Sequence, residues 1–390
     1  MHVNGVEWAM ARRPAAATTN EYLANEFHMA LFGKFWDRVA PPRQAIRLDA
    51  GRSAQIDDYV RGQVGTGGPG LAVAIVKSGT CVHAAGYGLA DMRRRMPIEP
   101  DTIFHMASCG KQITGIGILM LAEAGKLGLD DPISRHLPSL AGFGPKVTIR
   151  QLLHHTSGIR DLYDESGMEE VLSRCERPAN DDIVRTYVDL GCPMAKPGIE
   201  PGDEFVYSNS GYDLLGTLIE HVSGQSYHDF FESRVFNPLG MKDTFTAPDR
   251  RLSDRRVATG YAAGDVDGDF VEYGGSDYDD LVGSGSFYTT VSDLCLYDKA
   301  LATNALVNAA SMQLALTSGR TNDGALTDYG FGWYIGVYEG MRFVDHDGLW
   351  IGFHSYICRY LDPPLSIFIL SNHPDLDIVE VANLATAVYR

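Results

Sequence analysis

Apolar residues along this chain follow a strand pattern at both ends and a helical pattern between them. After GTGGPG at 65–70, the runs LAVAIV and CVHAAGY flank Lys77-Ser78-Gly79-Thr80, which predicts two strands joined by a glycine turn. The last third carries four further β-rich runs, FGWYIGVY, MRFVDH, FHSYICRY and LSIFIL, with Asp362-Pro363-Pro364 turning the final pair. VEVANLATAV at 379–388 then predicts a closing helix. Between about 105 and 280 the spacing is helical, as in KQITGIGILMLAEAGKL, VTIRQLLHH and NSGYDLLGTLIEHVSG, and the connecting loops are rich in Gly, Pro and Asp. Ile56, Val60 and Val64 recur every four residues after Gly51 and predict one more helix, at the periphery.

Strands at both ends with helices between them predict an α+β fold: one antiparallel sheet built from the N- and C-terminal segments, flanked by helices, with an inserted, mostly helical lobe. The expected boundaries are an N-terminal extension over 1–48, a sheet domain over 49–107 and 281–390, and the lobe over 108–280. A cleft between sheet and lobe is the expected place for a small-molecule site.

Composition narrows the function classes. A formal charge of −17 disfavours nucleic acid as a partner. The longest apolar runs fall well short of the roughly 18 residues a membrane helix needs. The arginine pair in ARRPAAATTN is followed by no apolar core of a signal peptide, so a cytoplasmic location is expected. Six cysteines, at 81, 109, 175, 192, 295 and 358, form no C-x-x-C pair and are expected to be reduced thiols.

Three polar elements can carry chemistry. Ser108 and Lys111 stand three apart at the start of a predicted helix, so their side chains share a face. A serine hydroxyl becomes a nucleophile when a neighbour takes its proton, and a lysine does this if burial or nearby positive charge lowers its pKa. The alternative is a capping serine and a solvated lysine. Tyr207 and Asn209, two apart in a loop, can present a phenol for proton exchange and an amide for a substrate carbonyl, or can belong to a helix cap around Ser208. His346, Gly348 and Leu349 lie in the terminal strand region, where the glycine would allow close approach and the Leu349 N–H could face an oxyanion opposite that of Ser108. A plain β-turn is the competing reading. The doublet His154-His155 has no third ligand nearby and is read as structural. No G-x-S-x-G elbow is present. Trp350, Phe353, Tyr163 and Tyr288 are candidates for an acyl pocket or for core.

In this order and at these separations, Ser108-x-x-Lys111, Tyr207-x-Asn209 and His346-x-Gly348 resemble the motifs of the penicillin-binding-protein-like serine hydrolases, which include class C β-lactamases, D,D-peptidases, D-aminopeptidases and family VIII esterases. LLHHTSGI, PGDEFVYSNSGYDLLG, NPLGMKDT, GSGSFYTTVSDL, YGFGW and HDGLWIGFHS add to the likeness, which spans roughly 50–390. The resemblance implies Ser108 as acylated nucleophile, Lys111 as its deprotonating partner and Tyr207 as proton relay. It also implies Asn209 as a ligand of substrate and of Lys111, and hydrolysis of an ester or amide without metal or cofactor. Where β-lactamases and D,D-peptidases carry lysine in the third motif this chain has His346, between Asp345 and Asp347, so carboxylate-bearing substrates are disfavoured. The expectation is a carboxylesterase on small esters. Behind it stand a D-aminopeptidase or D-amino-acid amidase whose substrate ammonium Asp345 and Asp347 could attract, then a β-lactamase or D,D-peptidase. A catalytically silent binding homologue is the reading from another class. Homo-oligomerisation is left open.

Overall fold

The computed structural model describes residues 43–65, 67–247, 249–265, 269–273 and 278–390. The expected N-terminal extension lies outside the described residues up to 42. Seven antiparallel strands make the main sheet: β1 Ile46–Arg47, β2 Leu71–Lys77, β3 Thr80–Tyr87, β4 Tyr334–Tyr338, β5 Met341–Trp350, β6 Phe353–Leu361 and β7 Pro364–Ser371. Their order is β1-β3-β2-β7-β6-β5-β4, so the N-terminal hairpin joins the C-terminal meander through the pairing of β2 with β7. Ile46 and Arg47, which the sequence pattern left in the extension, pair with Ala84 and His83.

LAVAIV is apolar without alternation because both faces of β2 are covered. Helices α1 (Ala50–Gln63) and α5 (Ile378–Tyr389) pack on one face; α4 (Val291–Ala302) contacts β2 and β7 from the other. The helix expected at the periphery covers an outer face of the sheet, with one side exposed and Ile56 and Val60 fully buried with Ile75, Ile367 and Ile378. Each such side chain contributes about 2 kcal/mol from burial. On the α4 face, Asp298 accepts from Arg359 at 2.7 Å and from Ser366 at 2.6 Å, a buried ionic tie between helix and sheet. Such a pair orients its elements more than it stabilises them, since desolvation offsets much of the attraction.

Two helices of the middle segment position the site. Helix α2, Lys111–Glu123, is buried along nearly its whole length, which is why its sequence is small and apolar. Helix α3, Asn209–Ser223, starts at Ser208, whose hydroxyl accepts from Gly211 N–H, and ends at Gly224 in the left-handed region. A 3₁₀ turn, Ala107–Gly110, leads into α2 and packs on β5 and β6. The third motif is therefore not a β-turn. It lies within β5, where β4 pairs only as far as Asp345, so from His346 onward that edge of β5 has no strand partner among the described residues.

Candidate active site

The residue before Ser108 is held in an unusual conformation. Ala107 has φ +48°, a region alanine seldom adopts, and its N–H donates to His105 Nδ1 at 3.1 Å. One turn on, the Lys111 amine is fully buried and lies 3.0 Å from Ser108 Oγ, 2.8 Å from Asn209 Oδ1 and 2.7 Å from the Ser284 carbonyl. The capping reading of Ser108 and the solvated reading of Lys111 both fail: Ser108 makes no cap and Lys111 is in the core. Burial pushes the amine down to about 7, against the opposing pull of Asp213 and Asp161.

Asn209 opens α3, so the cap of that helix and the contact to Lys111 are made by neighbouring residues. Tyr207 precedes the cap. Its ring lies 5.0 Å from the Lys111 amine and 4.2 Å from the ring of His155, and its phenol is within hydrogen-bonding reach of Ser108. Burial raises the phenol well above its ordinary value, with the Ser108 contact opposing. His155 is structural, as expected, but at the site: its Nδ1 accepts from Ser208 N–H at 3.1 Å, which holds the loop carrying Tyr207.

Gly348 explains how sheet and nucleophile meet. A Cβ there would stand 2.6 Å from the Met106 carbonyl and 3.0 Å from the Ser108 nitrogen, so only glycine lets the 3₁₀ turn lie on β5. Ser355, paired with Gly348, donates to the same Met106 carbonyl at 2.5 Å. His346 shares that face of β5. Its Nε2 lies 3.0 Å from the Tyr329 hydroxyl, its Nδ1 is bonded to the Asp347 carbonyl, and burial pushes it down to about 3. It is neutral at physiological pH. Asp345 alternates to the opposite face, where it accepts from Tyr356 at 2.5 Å within the layer under α1 and α5. Its expected role in attracting a substrate ammonium is therefore corrected. Asp347 follows the same alternation and is exposed.

A small cavity of about 90 Å³ opens beside Ser108, lined also by His105, Tyr163, Asn209, Asp279, Ser284, Leu349 and Trp350. Among the described residues no lysine or arginine lines it. Of the four aromatic candidates, Tyr163 and Trp350 reach this cavity, whereas Tyr288 and Phe353 pack on His105 and line a neighbouring one. Among the described residues no cluster of metal-binding side chains occurs, and no helix is long and apolar enough to cross a membrane.

Residues 56–388 match the family described as Beta-lactamase. The chain belongs to the β-lactamase family. Its members include the penicillin-binding-protein-like serine hydrolases that the three motifs resembled. Penicillin-binding protein 4* of Bacillus subtilis is 33% identical over 330 residues, covering 81% of this chain and 70% of that protein. Protein flp of Staphylococcus aureus is 30% identical over 339 residues, and the match covers 84% of this chain but only 64% of flp, just under two thirds. Among solved structures, the octameric penicillin-binding protein homologue from Pyrococcus abyssi superposes with a TM-score of 0.74 at 27% identity, over 87% of this chain and 77% of that one. The D-amino acid amidase from Ochrobactrum anthropi SV3 shares the fold, with a TM-score of 0.71 at 24% identity over 87% and 98% of the two chains.

Three residues at this site were not singled out in the sequence: Ser284, Asp213 and Tyr329. Each lies inside one of the segments that carried the resemblance, GSGSFYTTVSDL, NSGYDLLG and YGFGW. The signal was present in the segments, but which residue touches Lys111 or His346 is a tertiary matter.

Proposed function

We propose that the protein is a serine hydrolase that works through an acyl-enzyme on Ser108, and that its substrates are small esters of carboxylic acids. The observation that carries this reading is the set of partners around Lys111. A neutral amine has two N–H groups and one lone pair. Asn209 Oδ1 and the Ser284 carbonyl take the two N–H groups, which aims the lone pair at the Ser108 hydroxyl 3.0 Å away. With its pKa near neutrality, Lys111 acts as the general base for acylation. Tyr207 stays a phenol, so it serves as the proton donor to the departing alkoxide. The N–H groups of Ser108 and Leu349, both at the cavity wall, receive the developing oxyanion.

A neutral acyl group of modest size suits the cavity. With no lysine or arginine among the described wall residues and His346 neutral, the described wall offers no charge to hold a substrate carboxylate, which argues against β-lactams and peptidoglycan stems. Asp279 lines the wall and favours a second reading, an amide or ester of an amino acid whose ammonium it would meet. A neutral nitrophenyl ester and a D-alanyl anilide separate the two, and a chromogenic cephalosporin covers the third. Self-association would follow the octameric homologue. Purified protein is expected to release one equivalent of nitrophenol in a burst from nitrophenyl acetate. Ser108→Ala should abolish both burst and acyl adduct by intact mass; retained activity in that variant overturns the assignment.

A further inference from the structure

Beneath Lys111 lies a carboxyl group that this mechanism has not used. Asp213, at the start of the second turn of α3, is fully buried; its Oδ1 accepts from Ser284 N–H at 3.2 Å, and its Oδ2 has no hydrogen-bond partner among the described residues. Ser284 in turn gives its carbonyl to the Lys111 amine at 2.7 Å. One residue therefore joins carboxyl and amine. The glycines on either side make this threading possible. A Cβ on Gly283 would stand 2.1 Å from the Tyr212 carbonyl, and one on Gly285 2.9 Å from the Ala107 carbonyl carbon, so residues 283–285 are clamped between α3 and the nucleophile turn.

When Ser108 attacks, its proton moves from Oγ to Lys111 Nζ as the Oγ–carbon bond forms, and a positive charge appears in a fully buried place. Its immediate acceptors, Asn209 and Ser284, are neutral dipoles. Isolated buried ammonium is costly, so a counter-charge is needed. We infer that Asp213 is a positioning residue for acylation: ionised, it supplies the counter-charge to the ammonium that Lys111 becomes, and through Ser284 it fixes where that amine stands. The inference rests on the reading of Ser108 and Lys111 given above.

The groups around the pair set the expected pH behaviour. From the segment before α3 come His155, Asp161 and Tyr163; from α3 and its approach, Tyr207 and Tyr212; from β5, His346 and Asp347; from the nucleophile turn, Cys109; and Tyr187 and Tyr227 face Asp213 from the lobe. The histidines are neutral, so Asp213 and Asp161 are the anions that raise Lys111 most. Burial lifts Asp213 itself to about 7, opposed by Ser284, Lys111 and Tyr163. The active form then has Lys111 as free amine and Asp213 as carboxylate.

The test is the rate of acylation by nitrophenyl acetate from pH 5 to 9, read as the burst, for the wild type, Asp213→Asn and Tyr163→Phe. A neutral amide imitates the protonated carboxyl and leaves Lys111 less basic. Asp213→Asn should therefore move the acid limb down by about one pH unit or more and lower the plateau roughly tenfold. An acid limb at the wild-type pH, with activity lost evenly across the range, overturns the inference and marks Asp213 as merely structural. If Asp213→Asn gives no cooperative thermal transition, Tyr163→Phe decides. Losing the phenol that favours the ionised carboxyl raises Asp213 and should move the limb the opposite way, to higher pH, and an unmoved limb overturns the proposal. Absence of a burst in the wild type would instead defeat the acyl-enzyme reading itself.

Discussion

A lysine becomes a base here because of three contacts and its depth. Sequence spacing puts Lys111 on the same face as Ser108, but the acceptors that consume its N–H groups come from residues 98 and 173 positions further on. The division of labour between the two proton-handling residues can be separated by experiment. Lys111→Met should lower the acylation rate by 10³-fold or more with any ester, because the serine loses its proton acceptor. Tyr207→Phe should leave acylation by nitrophenyl acetate within about tenfold, since nitrophenolate leaves without a proton, yet depress turnover of an ethyl ester by about 10²-fold. Equal losses on both esters in the Tyr207→Phe variant would contradict the assignment of Tyr207 as donor to the leaving group. His346 illustrates the converse lesson. Its neighbours in sequence are two aspartates, which suggests a charged partner, but alternation along β5 sends Asp345 to the far face and leaves the ring against Tyr329.

At the scale of elements, the site exists because a strand and a 3₁₀ turn touch without a side chain between them. Gly348 is the contact point, and the turn it supports holds Ala107 at positive φ and the Ser108 nitrogen at the cavity. Replacing Gly348 by Ala places a methyl group 2.6 Å from a backbone carbonyl that has no freedom to retreat, because Ser355 already holds it. The strand and turn must separate by most of an ångström. Acylation is expected to fall by about 10²-fold, the scale of such a misplacement, with a lowered thermal midpoint but an intact cooperative transition. A variant with wild-type burst kinetics would show that this close approach is not needed for activity. The hairpin of β2 and β3 was legible from Ser78-Gly79, and the meander of β4 to β7 from its β-rich runs, because short-range turn chemistry sets both.

For the whole molecule, buried histidines dominate the response to acid. His83, His105, His154 and His346 are held down to about 4, 4, 4 and 3, chiefly by burial, from an ordinary 6.5. Groups depressed on folding contribute stability that is present above pH 6.5 and is lost as pH falls towards their folded values. Asp213 and Asp293, lifted to about 7, work in the other sense between 7 and 3.8. Near pH 5 these four histidines and His155, which burial also holds well below its ordinary value, leave five protons on the unfolded chain that the folded one lacks, and the two aspartates leave two on the folded chain. The net of three protons costs about 4 kcal/mol per pH unit. The thermal midpoint is expected to fall between pH 6.5 and 4.5; a flat or rising midpoint by calorimetry would contradict the neutral burial of these histidines. None of this was visible in the sequence, where the histidines at 105 and 154 carry no mark of depth. The sequence by itself determined the hairpin of β2 and β3, the meander of β4 to β7, the principal helices, the α+β class and the three motifs, since turn residues, apolar periodicity and motif spacing act over short stretches of chain. Only the tertiary structure decided which face of β5 meets the nucleophile, that Asp345 is turned away, and that Asp213 lies under Lys111. Charge, burial and distance between residues a hundred positions apart are properties of the packed molecule, and the pKa values on which the chemistry depends follow from them.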